Sequence, residues 1–226
     1  MNRHFFMFLF TRKTEECSIL GRHHQRLFVL LPLEMKKTKT NLVILASGNG
    51  SNAQNIAEYF SDRNDVNVST VATNKADSGV INRAENLDIP VLIFTKSDLL
   101  DPNRLTAILK KMNPDLIVLA GFLLQIPEHF IEAFPNRIVN IHPALLPKFG
   151  GKGMYGMNVH KAVKEAGEEK TGITIHYVNE NYDEGEIVFQ ATTDLLPGDD
   201  ATDIAKKIHA LEQEHFPKVI DSILKS

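Results

Sequence analysis

Leu42-Val43-Ile44-Leu45-Ala46, followed by Ser47-Gly48-Asn49-Gly50-Ser51-Asn52, is the stretch on which the fold turns. Five consecutive apolar residues bounded by Ser-Gly read as a strand buried on both faces. The loop after them holds two glycines, and Ala53 to Phe60 then reads as a helix. Strand, glycine-rich turn and helix in that order aim backbone N–H groups and a helix N-terminus at an anion. The loop also fits Gly-x-Gly-x-x-Ala through Gly48, Gly50 and Ala53, a dinucleotide fingerprint. That reading needs an acidic residue at the end of the second strand, but Val66 to Thr73 runs into Asn74-Lys75. A phosphate monoester suits the loop better, and a tight turn without ligand is the plain alternative.

Outward from this unit the alternation continues. Ser78 to Leu87 is predicted as a helix, Pro90 to Phe94 as a third strand, and Asp101-Pro102 opens a helix to about Met112. Asp115 to Gly121 is a fourth, uniformly apolar strand. Strands separated by helices of this length imply right-handed crossovers and a parallel sheet. Ligands in such sheets bind beyond the strands' carboxyl ends. Three segments fall there: the glycine loop, Phe122 to Pro127, and Asn140 to Pro147.

The third of these is the chemical one. Arg137 to Pro147 reads as a short strand entering a proline-punctuated loop, with Asn140 and His142 two apart and so on one face. An amide donor and an imidazole so placed can hold an oxyanion and move a proton; a capped turn is the bland reading. Lys148 to Gly156 is glycine-rich with two cations, Lys148 and Lys152, suited either to an acidic ligand or to a solvated loop. Asn158 to Ala166 is predicted helical. Gly172 to Val178 alternates, with Ile173, Ile175 and Tyr177 on one face and Thr174, His176 and Val178 on the other, and pairs with Ile187 to Thr192. The turn between them carries Asp183, open to a turn-capping or a general-base role. Ala201 to Leu224 is an amphipathic helix docking through Ile204, Ile208, Leu211, Val219 and Ile223.

With 226 residues the chain holds one substantial domain, and a net charge of −3 offers no general attraction for nucleic acid or an anionic membrane. Neither partner is expected. The one cysteine, Cys17, excludes a disulfide framework and a thiolate metal site and suits a cytoplasmic setting. The histidine spacing does not suit zinc, so no metal is expected. Residues 1–40 carry eight Lys or Arg against three Glu, and the apolar run Phe5 to Phe10 is too short to span a membrane. They are expected to be a basic leader, loosely attached or a start-site artefact with Met35 as the natural start, and 41–226 the working domain.

Four ordered motifs, Ser-Gly-Asn-Gly-Ser-Asn (47–52), Leu-Ala-Gly-Phe (119–122), Asn-Ile-His-Pro-Ala-Leu-Leu-Pro (140–147) and the Asp183 loop, resemble the glycinamide ribonucleotide transformylase (phosphoribosylglycinamide formyltransferase) family of folate-dependent formyltransferases. The resemblance spans about 41–224. It implies an α/β, Rossmann-like, mostly parallel twisted sheet flanked by helices in a single domain. It further implies formyl transfer from 10-formyltetrahydrofolate, as co-substrate, to the amine of glycinamide ribonucleotide in purine synthesis. By motif, Asn140, His142 and Asp183 would be catalytic, with Asp183 keeping His142 charged. Gly50, Ser51 and Asn52 would hold the substrate phosphate, with Lys96 a loosely matched cation, and Glu214 would contact the substrate. Phe122, Leu123, Leu124, Gln125 and Ile126, with Asn179, Glu180, Asn181 and Tyr182, would embrace the pterin. Many members have an arginine shortly after Ala-Gly-Phe, where this chain has Leu123-Leu124-Gln125. The rivals are another user of 10-formyltetrahydrofolate, a hydrolase or a different formyltransferase, and a non-catalytic nucleotide-binding module. Monomer and homodimer both remain open.

Overall fold

The computed structural model describes residues 39–226. The expectations for the leader, the Phe5–Phe10 run and Cys17 lie outside the described residues. The apolar run after Asn41 forms β1 (Thr40–Leu45). Parallel to it lie β2 (Val66–Thr73), β3 (Val91–Ile93), β4 (Leu116–Leu119) and β5 (Ile138–His142). Two further strands, β6 (Lys170–Tyr177) and β7 (Ile187–Asp194), extend the sheet antiparallel. The order β3-β2-β1-β4-β5-β6-β7 reverses direction between β1 and β4. Such a switch point leaves a crevice outside the carboxyl ends of the strands. This is the mostly parallel α/β architecture that the alternating pattern implies.

Successive strand residues face opposite sides, which explains the continuous apolar runs. Leu42, Ile44 and Ala46 pack into one core with α1 (Ser51–Phe60), α2 (Val80–Asn86), α6 (Met157–Glu165) and α7 (Ala201–Lys225). Val43 and Leu45 face a second core with α3 (Lys96–Leu100), α4 (Ala107–Met112) and α5 (Glu128–Ala133). Two helix expectations change. Ser51 and Asn52 belong to the first turn of α1 rather than to the loop. The helix expected from Asp101 to Met112 is broken instead. A Thr95/Asp98 capping box starts α3 earlier, Pro102–Thr106 forms a wide π-type turn, and α4 follows. Proline lacks the N–H that would continue α3, so the chain restarts there.

Two polar devices set the site's walls. Pro217 lies inside α7 and cannot donate to the carbonyl of Gln213 four residues back. Asn55 of α1 uses that freed carbonyl, donating from Nδ2 at 2.8 Å. Beside it, Gln213 Nε2 donates to Asn52 Oδ1 at 2.6 Å and Asn52 Nδ2 to Glu212 Oε2 at 2.9 Å. The proline thus supplies the acceptor through which α7 is fastened to the start of α1. On the other side, the fully buried Thr174 of β6 donates to Ala144 O at 2.7 Å and accepts from Leu146 N at 3.0 Å. These bonds pin the proline loop that follows His142. Thr174→Val, of equal shape, strands both backbone groups, and we expect about 1–3 kcal/mol of lost stability in denaturant unfolding.

Candidate active site

A pocket of about 670 Å³ opens beyond the ends of β4 and β5, walled by residues 121–126, 140–143, 151–156 and 178–183 and one face of α7. At its floor, pairing of β5 with β6 sets Asn140 opposite His176 and His142 opposite Thr174. Asp183 enters from the β6–β7 turn with φ 57°, a left-handed conformation that Asp tolerates better than most residues. Its Oδ2 lies 3.5 Å from His142 Nδ1, and its Oδ1 lies 3.6 Å from His176 Nε2. The N–H of Gly151 donates to Oδ2 at 2.9 Å. Asn140, His142 and Asp183, separated by up to 43 positions in the chain, therefore share one site.

Hydrogen-bond partners assign the imidazoles. His176 Nδ1 lies 2.8 Å from Tyr177 O, a pure acceptor, so Nδ1 carries the hydrogen. In the neutral ring, Nε2 is then free to accept from Asn140 Nδ2 at 3.2 Å. This bond orients the amide and leaves its second N–H for a ligand. Likewise, His142 Nε2 donates to Phe149 O at 2.8 Å, and Nδ1 faces Asp183. The sequence singled out Asn140, His142 and Asp183 but missed His176. Its only local signal was its place on the face of β6 opposite Ile173 and Ile175.

Burial pushes the His142 imidazole below its ordinary value, against the raising influence of Asp183 and of the Phe149 bond, while His176 adds to the lowering. Desolvation therefore works against the expected role of Asp183, 3.5 Å away, in keeping His142 charged. For Asp183 burial acts upward, but His176, His142 and the Gly151 N–H together hold the carboxyl below its ordinary range. A depressed histidine makes folding stability depend on pH. As pH falls from about 6.5, the unfolded chain takes up the proton first, so stability is full above that pH and is lost as pH falls through the folded value. His142→Gln is expected to flatten this loss, read as the urea midpoint between pH 7.5 and 5.

The other expected residues divide. Phe122, Leu123, Leu124, Gln125 and Ile126 and Asn179, Glu180, Asn181 and Tyr182 all line the pocket. The first of these segments is anchored by Ser47, whose Oγ accepts from Leu123 N at 3.0 Å and donates to Asn74 Oδ1 at 2.6 Å. Asn74, standing where a dinucleotide site needs an acid, is thus held in the scaffold. Asn52 reaches the wall, whereas Gly50 and Ser51 form the cap and first residue of α1 without lining it. Gly50 has φ 82°, and a Cβ there would collide with Val80 of α2. No side chain caps α1, so its leading N–H groups are left for an anion.

Two assignments are corrected. Glu214 points to solvent, with its side chain 60% exposed and 3.7 Å from Lys218, and it is not on the wall. Glu212, 15% exposed and bonded to Asn52, takes that place. Two residues along a helix is a rotation of about 200°, so only one of the two glutamates can face inward. Glu212 follows Ile208 by four positions, the signal that would have found it. Lys96 begins α3, is exposed and does not line the pocket. Among the wall residues Lys152 is the one lysine or arginine.

Residues 40–220 match the formyl transferase family, and with this sheet, glycine loop and Asn-His-Asp floor the chain belongs to that family. Similar proteins within it include phosphoribosylglycinamide formyltransferases. The chloroplastic enzyme of Arabidopsis thaliana is 43% identical over 82% of this chain and 65% of its own length. That of Haemophilus influenzae is 33% identical over 79% of this chain and 84% of its own. A crystal structure of the Anaplasma phagocytophilum protein superposes with a TM-score of 0.73 at 34% identity, covering 80% of this chain and 85% of that one. The chain spans 65% and 61% of the length of the two plant relatives.

Proposed function

We propose that this chain is a phosphoribosylglycinamide formyltransferase, moving a formyl group from 10-formyltetrahydrofolate to the amine of glycinamide ribonucleotide in purine synthesis. The observation that carries the reading is one pocket with the Asn140, His142, His176 and Asp183 group at its floor and Asn52, at the uncapped start of α1, on its wall. The names of the relatives support the same substrates.

In this mechanism the phosphate meets the leading N–H groups of α1 at Gly50, Ser51 and Asn52, and Glu212 rather than Glu214 contacts the substrate. Segments 122–126 and 179–182 embrace the pterin, the former with backbone groups in place of the absent arginine. The amine attacks the formyl carbon, and the carbonyl oxygen becomes an oxyanion. The free N–H of Asn140 and the Nε2–H of neutral His142 stabilise it, the latter exchanging the neutral Phe149 carbonyl for a charged acceptor. Asp183, held ionised, takes the proton from the attacking nitrogen directly or through water. Collapse of the intermediate breaks the bond to N10, to which Asp183 returns the proton directly or through water, giving tetrahydrofolate and the formylated amide. The donor is a co-substrate, and the scheme calls for no metal.

Deformylation of 10-formyltetrahydrofolate measured with and without glycinamide ribonucleotide tests the reading. Amine-dependent turnover is the expected result; turnover without the amine means a hydrolase instead. Among the described residues no helix is long and apolar enough to cross a membrane. The sequence suits the cytoplasm, while the plant relatives are named as chloroplastic; imaging of the full chain carrying a carboxy-terminal fluorescent fusion distinguishes the two.

A further inference from the structure

His160 of α6 stands on the pocket wall and takes no part in the chemistry above. The residue is 6% exposed, and its Nδ1 is closed off from solvent without any hydrogen-bond partner. The ring nitrogen left with access to the cavity is therefore Nε2. A buried N–H with no acceptor costs more than a buried bare lone pair, because the strong donor loses its water. The neutral tautomer thus leaves Nδ1 bare and places the hydrogen on Nε2, facing the pocket. His160, Glu212 and His142 line the same pocket, and burial lowers the imidazole's proton affinity while Glu212 raises it.

This puts an N–H donor on the pocket wall that also holds Asn52 and Glu212. Glu212 Oε2 is taken by Asn52 Nδ2, which leaves Oε1 to accept from a ligand. A donor beside an acceptor matches a vicinal diol, in which each oxygen can both give and accept a hydrogen bond. A phosphate is disfavoured at the same place by the Glu212 carboxylate, and an amine would have no use for the N–H.

We propose that His160 is a specificity-determining residue that donates from Nε2 to a sugar hydroxyl of the substrate, alongside Glu212 as the acceptor. This rests on the phosphoribosyl substrate assigned above. The test uses the full chain with glycinamide ribonucleotide and its 2′-deoxy and 3′-deoxy analogues, in wild type, His160→Phe and His160→Gln. His160→Phe is expected to raise KM for the ribonucleotide about 3- to 10-fold, the loss of one neutral hydrogen bond. KM for the folate and kcat stay within about twofold, and Gln, which returns an N–H near the same point, restores most of the affinity. One deoxy analogue should bind wild type weakly by a similar factor and lose nothing more in the Phe variant, since the two changes remove one bond. An unchanged KM in His160→Phe overturns the proposal, as do losses that multiply for both analogues. If the Phe variant fails to fold, wild type binding both analogues as tightly as the parent is decisive against it. Absence of amine-dependent turnover in wild type defeats the underlying formyltransferase reading; turnover with an indifferent His160 defeats this inference alone.

Discussion

Asp183→Asn is expected to lower kcat by about 10²- to 10⁴-fold, the usual contribution of a positioned general base. KM for both substrates and the thermal midpoint should change little. The fold tolerates the change because Asn also accepts the left-handed conformation at φ 57°, and its amide oxygen still meets the Gly151 N–H. The base itself is lost, as is the negative charge 3.5 Å from His142 Nδ1 and 3.6 Å from His176 Nε2. Single-turnover deformylation in the presence of glycinamide ribonucleotide reports the chemical step without product release. A variant within tenfold of wild type would show that the amine's proton leaves by another route.

Gly185→Ala should damage both fold and rate although it touches no substrate. A Cβ at this position falls well inside contact with the carbonyl oxygen of Tyr177, and its carbonyl carbon lies 2.7 Å away. Backbone cannot step aside as a flexible side chain can. The same carbonyl accepts the Nδ1–H of His176, which in turn orients Asn140. A cost of about 1–3 kcal/mol, typical of overpacking, is expected in urea unfolding. A fall in kcat of about tenfold or more should accompany it as the oxyanion donor loses its orientation. Full activity at reduced stability would separate the Tyr177 carbonyl from the setting of His176.

Much of the architecture was legible because its signals are local. Buried parallel strands show as unbroken apolar runs such as Leu42 to Ala46, and α7 shows as a helical repeat of apolar residues. The short helix α5 has six residues, too few to display a period. The early start at Lys96 followed from a capping box at Thr95 and Asp98, and Pro102 broke the helix after Leu100. Asn140 and His142 were visible as a site because two residues on one strand necessarily share a face.

The seven strands, the longer helices, the glycine loop and the proline loop are written in local sequence pattern, and with them which residues stand at the strand ends. Only the tertiary structure decided which of them meet. The β5–β6 register set His176 against Asn140, and no local pattern specifies which residue of one strand faces which of another. The rotation of α7, fastened through the carbonyl that Pro217 frees, turned Glu212 inward and left Glu214 in solvent. The balance at His142 likewise went to burial over the nearby carboxylate, because desolvation depends on everything packed around a group and a sequence lists only its neighbours along the chain.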